Sequence, residues 1–330
     1  MMDRKYYIII ACLLFSACVS RSGKYHTLDG FALGTVFHIV YEGQPPGIIE
    51  AGIDSVLAQV NRSLSVYNPQ SVISKINRNE PVTPDSMFVA VFRRSREIYQ
   101  ATGGAFDISA SPLFNAWGFG FTDRETMTPA KVDSLKKIIG MHHVWLEGTR
   151  VVKDDPRVTL NANAIAKGFG VDAAALFLEQ AGSGNYLVEI GGEVRCRGVN
   201  SEGRAWTVGI DRPVDGNMLP GACLQAVVSL TDKALATSGN YRRYYEEDGK
   251  KYAHTIHPAT GYPVEHNLLS ATVLAGDCMT ADAYATAFMV VGLEGAKQLL
   301  AAHPELGAYL VYDSCGELGV YDVRMPQGFP

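Results

Sequence analysis

A carboxylate and a hydroxyl with helical spacing occur in the segment from Thr280 to Thr286. Asp282 and Thr286 are four positions apart, so a helix would place both on one face, among residues that are otherwise small. Mg²⁺ prefers such oxygen donors, keeps several water ligands and takes further oxygens from substrate phosphates. The local sequence therefore predicts either a magnesium site or an Asp that stabilises a helix N-terminus.

A second candidate site, residues 160–170, joins a predicted strand to a helix that begins with small residues and glycine. Lys167 lies in the predicted first turn, and the free N–H groups of a helix N-terminus favour anions. The segment is similar to a phosphate-binding site, although it lacks the spacing of a Walker loop. An ordinary helix start with a solvated lysine is the alternative.

Two histidines, His254 and His257, lie in a turn-rich segment that ends at Pro263 and follows Ser238-Gly239 in the chain. Histidine titrates near neutral pH, so either residue is a candidate general base. Ordinary surface histidines are the alternative.

The strand predicted before Glu193 ends in Gly191-Gly192, with Glu189 on its other side. The glycine pair with its flanking carboxylates is a further candidate for chemistry, and an ordinary β-bulge is the alternative.

Glycines and aromatic residues are concentrated between Thr102 and Gly120, around the single carboxylate Asp107. Glycine allows a backbone to approach a ligand closely, and aromatic rings offer a flat apolar surface to a planar group. The segment predicts either a site for a planar ligand or a helix end followed by an aromatic loop on the core.

The elements that must position these residues follow from apolar periodicity and turn residues. The mixture of helices with meandering antiparallel strands predicts an α+β protein, and neither a repeat nor a linker divides it. The predicted helices are 48–66, 84–102, 128–140, 164–181, 280–291 and 293–302. The predicted strands include 31–41, 186–199, 205–211, 223–232, 270–275, 308–312 and 318–323, with hairpins at 144–160 and around 247–250.

The N-terminus is typical of an exported bacterial lipoprotein. Arg4 and Lys5 precede a short apolar run, which ends in a sequence similar to a lipobox at Cys18. We therefore expect a signal peptide at 1–17, a lipid anchor on Cys18, a tether at 18–30 and a folded domain at 31–330. The mature protein is then anchored to a bacterial membrane on its periplasmic or cell-surface side, and a plain secreted protein is the alternative.

The net charge and the cysteine spacing argue against a nucleic-acid-binding protein and against a zinc site. The chain has 330 residues, 47% of them hydrophobic, and a formal net charge of −5, so a nucleic-acid partner is not expected. The cysteines at 196, 223, 278 and 315 lack the spacing of a zinc site, and buried free thiols are the expectation.

Taken in order, these segments resemble the ApbE family of flavin transferases. The matching segments are Leu33-Gly34-Thr35, Tyr67-Asn68-Pro69, Thr102 to Asp107, Pro112-Leu113 with Trp117 to Gly120, Ala164 to Gly168 with Asp172, Glu189 to Gly192, Ser238-Gly239, His254 to Pro258 with Thr260-Gly261, and Ala281-Asp282 with Thr286.

The resemblance implies a single large globular unit of the ApbE-like, T-fold-related type, with mixed sheets and packed helices. It implies an enzyme that binds FAD and Mg²⁺ and cleaves the pyrophosphate. It also implies that FMN is attached to a threonine of an exported target protein and that AMP is released. The implied catalytic residues are His254 and Asp282. The implied flavin contacts are Leu33, Tyr67, Ala105, Phe106, Asp107, Asn161, Lys167, Ile256 and His257, and the implied metal ligands are Asp282, Thr286 and the backbone carbonyl of Ala164.

The chain departs from the family pattern at two positions. Leu33 replaces the usual methionine, a change that conserves volume. His257 stands where aspartate is frequent, so the base is either His254 or His257. Two other functions are compatible with the same residues: a Mg²⁺-dependent FAD pyrophosphatase that yields FMN and AMP, and a lipoprotein that only binds flavin.

Overall fold

The structure is a computed structural model. It describes residues 23–120, 123–214, 217, 221–240, 244–247, 250–253 and 255–327, and for 244–247 and 250–253 the backbone alone. The helices of the described residues are α1 (Pro46–Leu64), α2 (Val72–Asn77), α3 (Ser86–Ala101), α4 (Ser111–Ala116), α5 (Pro129–Lys136), α6 (Ala166–Gln180) and α7 (Cys278–Ala302). The strands are β1 (Tyr25–Ala32), β2 (Thr35–Glu42), β3 (Val144–Glu147), β4 (Arg150–Lys153), β5 (Tyr186–Ile190), β6 (Glu193–Arg197), β7 (Trp206–Asp211), β8 (Leu224–Leu230), β9 (Lys233–Gly239), β10 (Tyr244–Glu247), β11 (Lys250–Ala253), β12 (Ile256–His257), β13 (Tyr262–Pro263), β14 (Leu268–Ala275), β15 (Gly307–Ser314) and β16 (Glu317–Val323).

One antiparallel sheet of eight strands organises the protein, in the order β1-β2-β5-β6-β9-β14-β15-β16. Helices α1, α6 and α7 pack on one face of this sheet. The β7–β8 hairpin packs on the other face, where Trp206 and Leu230 contact Leu235 and Leu274. The sheet therefore has an apolar layer on each side, as the α+β prediction requires.

The helices on the sheet form because apolar residues recur at helical spacing. In α1, Ile49, Ile53, Leu57 and Val60 are all buried, and they lie on one face of the helix. They pack with strand residues in a core that shares Leu33 with the larger core around α7. Because the two cores are continuous at Leu33, the chain forms the single globular unit that was predicted.

Several element boundaries differ from the sequence predictions. The strand predicted at 31–41 is interrupted by the turn between β1 and β2, and the strand predicted at 186–199 is two strands, β5 and β6. Strand β1 begins at Tyr25 and pairs with β2 along its whole length, so ordered structure starts within the tether predicted at 18–30. Helix α7 is capped by Asp277, whose side chain accepts the N–H of Thr280, and Thr280 is therefore not the cap. The division predicted at Gly292 is confirmed: this residue has a non-helical backbone, with a φ of 71° and a ψ of −175°, and it separates two helical segments within α7.

Two further expectations concern the surface. No helix among the described residues is long and apolar enough to cross a membrane. The four cysteines of the described part are free, and Cys196 and Cys278 are buried as expected, whereas Cys223 and Cys315 are exposed. The predicted signal peptide and Cys18 lie outside the described residues.

Candidate active site at the α6–α7 junction

The first turn of α6 lies directly against the first turns of α7. The backbone N–H of Gly168 donates a hydrogen bond of 3.0 Å to Oδ2 of Asp282. A Cβ at position 168 would overlap the carbonyl oxygen of Cys278 and lie 2.9 Å from Cβ of Asp282. Glycine is therefore required at 168 for this approach, and one N–H that was predicted to be available to phosphate is already bound by Asp282.

A second carboxylate holds the start of α7 in place. Asp172 accepts the N–H groups of Cys278 and Met279 at 2.9 and 2.8 Å, and its Oδ1 also accepts from Arg195 at 2.8 Å. These N–H groups are the donors that a helix start leaves without partners. Asp172 thereby positions Asp282, one turn further along α7.

Asp282 and Thr286 lie on one face of α7, as their spacing predicted. Asp282 is 4% exposed, and the Thr286 hydroxyl lies 3.3 Å from Oγ of Ser238, at the end of β9. Ala164, the third predicted ligand, is half-buried in the turn before α6. Among the described residues, no group of three or more His, Cys, Asp or Glu side chains could hold a metal ion. A cation here would therefore depend on hydroxyl, carbonyl or substrate oxygens as well as on Asp282.

Glu193 completes a charged cluster with Lys167 and Asp282. Strands β5 and β6 are joined by Gly191 and Gly192, both with positive φ, so this is a tight hairpin turn rather than a bulge. The turn places Glu193 at the start of β6, where it is 2% exposed and forms an ion pair with Nζ of Lys167. The ammonium of Lys167 therefore has a fixed partner and is not the free charge that the sequence suggested.

The three groups shift one another's pKa values. Burial raises the pKa of Asp282, against the opposing effects of Lys167 and the Gly168 N–H. Burial also raises the pKa of Glu193, where Lys167 opposes the rise and Asp282 adds to it. Burial lowers the pKa of Lys167, but the charges of Glu193 and Asp282 outweigh it, so the net shift is upward. When all three are ionised the cluster has an excess negative charge, which a cation would stabilise.

The predicted flavin contacts Leu33, Tyr67 and Asn161 surround the start of α6. Leu33 forms a tight turn between β1 and β2 at a φ of 52°, which is uncommon for a residue with a side chain, and its Cδ1 lies against Gly170. Tyr67 is 69% exposed, and its hydroxyl accepts a hydrogen bond of 3.2 Å from the Asn163 side chain. Asn161 lies two residues before Asn163, so exposed and partly exposed side chains rim the α6 N-terminus.

Residues 105–107 lie beside Asn161, whose N–H donates to the carbonyl of Ile108 at 2.7 Å. Ala105 and Phe106 are buried, and Phe106 belongs to the main core, so a flavin contact from Phe106 would have to involve its backbone. Burial raises the pKa of Asp107 to about 6, although hydrogen bonds from Ser109 oppose the rise.

Ile256 and His257 form β12, which lies against α7. The Ile256 side chain is fully buried with Trp117, whose Nε1 donates to the carbonyl of Gly261 at 2.9 Å. The tryptophan-bearing part of the 102–120 segment therefore packs as scaffold. His257 accepts the N–H of Ala259 on Nδ1, and burial lowers the pKa of its imidazole. His254 lies outside the described residues.

Asp172 and Glu193 are the site residues that the sequence prediction did not assign. Asp172 belongs to a segment that carries the family resemblance and Glu193 directly follows one, but neither local pattern shows what the carboxylate contacts. The sequence offered two signs of this cluster: the acidic residues that flank Gly191-Gly192 and a lysine at the start of a helix.

The fold and the cluster define an α+β protein with a buried carboxylate–lysine centre where two helices meet on a large antiparallel sheet. The sequence profile of the ApbE family matches residues 33–310, and the chain belongs to this family. The FAD:protein FMN transferase of Vibrio cholerae is 36% identical over 301 residues, 88% of this chain and 89% of that protein. The corresponding transferase of Haemophilus influenzae is 35% identical over 92% of this chain and 91% of its own.

Solved structures show the same similarity. The flavin transferase ApbE from Vibrio cholerae superimposes with a TM-score of 0.81 at 33% identity, covering 91% of this chain and 97% of the other. The apo flavinyl transferase ApbE of Pseudomonas stutzeri has a TM-score of 0.82 at 27% identity and covers 91% and 95%. The similarity therefore extends over nearly the whole described fold.

Proposed function

We propose that this protein is an FAD:protein FMN transferase that uses Mg²⁺, modifies a threonine of an exported target protein and releases AMP. The observation that carries the proposal is the Lys167–Glu193–Asp282 cluster, at a rim of predicted flavin contacts, in a chain of the ApbE family. The name shared by the relatives supports the same reaction.

The residues at the α6–α7 junction fit a magnesium ion. Asp282 is a buried carboxylate whose Oδ2 is already oriented by the Gly168 N–H, and Thr286 is on the same face of α7. The cluster holds two carboxylates against one lysine, so a divalent cation would offset its excess negative charge. We assign Asp282, Thr286 and the Ala164 carbonyl as the groups that would hold it. Bound there, Mg²⁺ would neutralise charge on the pyrophosphate and on the departing AMP.

The protein's own residues bind and orient the substrates. Tyr67 offers an exposed ring at the site rim, and Leu33 offers an apolar side chain held against α6. In the reaction, the threonine oxygen forms a bond to the FMN phosphorus as the bond from that phosphorus to the AMP oxygen breaks. Positioning of these atoms supplies most of the catalysis in such phosphoryl transfers.

The hydroxyl proton needs an acceptor, and we assign His254. Because Nδ1 of His257 accepts the N–H of Ala259, the proton of its neutral imidazole lies on Nε2. That form has no lone pair left for the target hydroxyl. His254 is the remaining histidine of the segment, and its assignment rests on the sequence.

Export and lipid anchoring at Cys18 would place the enzyme with its targets. The basic N-terminus, the short apolar run and the lipobox-like sequence support this location.

The test uses FAD, Mg²⁺ and an exported protein known to carry FMN on threonine, prepared without its flavin. We expect a fluorescent band on a denaturing gel and one AMP released per flavin attached. Asp282→Ala should give neither the fluorescent band nor AMP release. It should still unfold in one cooperative thermal transition, as the wild type does. Release of FMN and AMP without a labelled band would instead identify a pyrophosphatase, and binding of FAD without AMP release would identify a flavin-binding lipoprotein.

A further inference from the structure

Within the described part of the chain, one carboxylate oxygen of Glu193 is without a hydrogen-bond partner. Its Oε1 is paired with Lys167, whereas its buried Oε2 accepts no hydrogen bond from any residue that the structure describes. Leaving a buried polar atom unsatisfied destabilises the folded protein, and more strongly if the atom is charged. Such an atom in a well-packed protein therefore indicates a ligand or water that it receives.

The surroundings of Glu193 limit what that ligand can be. The side chain interacts electrostatically with Asp282, the proposed cation ligand, as well as with Lys167. The β5–β6 turn places this carboxylate at the start of β6, with Gly191 and Gly192 at positive φ values and Thr35 packed against Gly191. A lone carboxylate oxygen that is buried beside a second carboxylate accepts hydrogen bonds and disfavours an anion. Water bound to a cation matches this requirement.

We propose that Glu193 is a positioning residue of the cation site, whose Oε2 accepts a hydrogen bond from a water ligand of the divalent ion held by Asp282. Mg²⁺ keeps several waters when it binds to proteins, and acceptors around those waters orient them. Lys167 neutralises part of the charge on Glu193 and fixes its other oxygen. The proposal rests on the cation site described under the proposed function, and it extends that site from α6 and α7 to the central sheet.

The experiment measures Mn²⁺ binding to the full-length mature protein by electron paramagnetic resonance, without FAD. Glu193→Gln retains the shape of the side chain and an acceptor for Lys167 but removes the charge. We expect Mn²⁺ affinity to fall about 10- to 100-fold, the usual effect of removing an outer-shell partner. The FAD affinity of Glu193→Gln, measured with a chelator present, should differ from that of the wild type by less than about threefold. Such a small difference would show that the substitution leaves the metal-free site intact.

Two further variants complete the test. Glu179→Gln alters a carboxylate on the same helix–strand seam, where it pairs with Arg195 and Arg197, and it should retain wild-type Mn²⁺ affinity. Asp282→Ala should abolish Mn²⁺ binding and thereby locate the ion. If Asp282→Ala loses the ion while Glu193→Gln binds it as well as the wild type, the role of Glu193 is refuted and the cation site stands. A parallel loss of Mn²⁺ and metal-free FAD binding in Glu193→Gln would also refute it, because that pattern indicates a structural role.

The proposed transferase activity is measured separately. Weakened Mn²⁺ binding in Glu193→Gln would support this inference even if no FMN were transferred to protein.

Discussion

The acidic residues of the site differ in how the protein compensates their burial. Asp172 has three hydrogen-bond donors, and Asp282 has the Gly168 N–H with Lys167 nearby. Burial dominates at Asp107 and raises its pKa to about 6, although Ser109, His143 and Gly140 oppose the rise. Carboxylates with raised pKa values concentrate at functional sites, where a ligand or cation supplies the missing stabilisation.

The raised pKa of Asp107 predicts a specific pH dependence of stability. The folded state binds this proton more tightly than the unfolded state, whose pKa is near 3.8. The resulting stabilisation is fully present below about pH 4 and is lost as the pH rises through about 6. Asp107→Asn keeps the acceptor for Ser109 but cannot ionise, so its stability relative to the wild type should increase over this window, by up to about 3 kcal/mol.

Thermal unfolding of both proteins between pH 4 and pH 7.5 measures this difference. Ionisable groups remote from position 107 affect both proteins equally, so the difference between them reports Asp107 together with His143, whose charge interacts with it. A constant difference across the window would contradict the raised pKa.

At the scale of elements, the junction of α6 and α7 depends on close backbone contact at Gly168. Gly168→Ala would drive a methyl group into the Cys278 carbonyl, and neither backbone can move without displacing Asp282. We expect a loss of about 1–3 kcal/mol in the free energy of unfolding, typical of overpacking, together with weaker Mn²⁺ binding.

Gly170→Ala in the same helix is the matched control. Its new methyl group would meet Cδ1 of Leu33 at 2.5 Å, the end of a flexible side chain that can rotate away. Its cost should remain below about 1 kcal/mol, since alanine also favours the helix. Denaturant unfolding compares the stability of the two variants. Equal losses in the free energy of unfolding would show that the backbone contact at Gly168 does not limit which residues fit there.

The sequence predicted those elements whose evidence is local. The apolar spacing of α1, the Thr128 cap of α5 and the hairpins at 144–160 and around 247–250 follow from neighbouring residues. The shared face of Asp282 and Thr286 follows from helical spacing alone.

The contacts that turn these elements into a site were not predictable in the same way. The Gly168–Asp282 hydrogen bond joins residues 114 positions apart, and the Lys167–Glu193 pair joins residues 26 apart. Both depend on how α6 and α7 dock on the sheet, which a single sequence does not encode locally. The family resemblance identified the segments, but the partner of Lys167 and the hydrogen bonds that Asp172 accepts from the start of α7 required the structure.

At the scale of the whole molecule, the sheet links the edge strand β1 to the site. Strand β1 pairs with β2, and the Leu33–Gly34 turn between them packs Leu33 against α6 and into both main cores. Leu28 of β1 is also buried in the core beneath α1. An intact β1 is therefore needed to hold Leu33 at the rim of the proposed flavin site.

Two truncations test this dependence and the domain boundary together. A protein that starts at residue 23 retains all of β1 and should match the mature protein in thermal stability and FAD affinity. A protein that starts at residue 31, the predicted domain boundary, loses the pairing with β2 and the buried Leu28. It should lose more than about 3 kcal/mol in the free energy of unfolding, because burying one such side chain contributes about 1.5–3 kcal/mol before the lost strand pairing is counted.

FAD binding to the shorter protein should weaken as well, since the turn that carries Leu33 is no longer anchored on one side. Calorimetry and FAD titration distinguish the outcomes: equal stability of the two truncations would show that β1 is dispensable and that the domain does begin at residue 31.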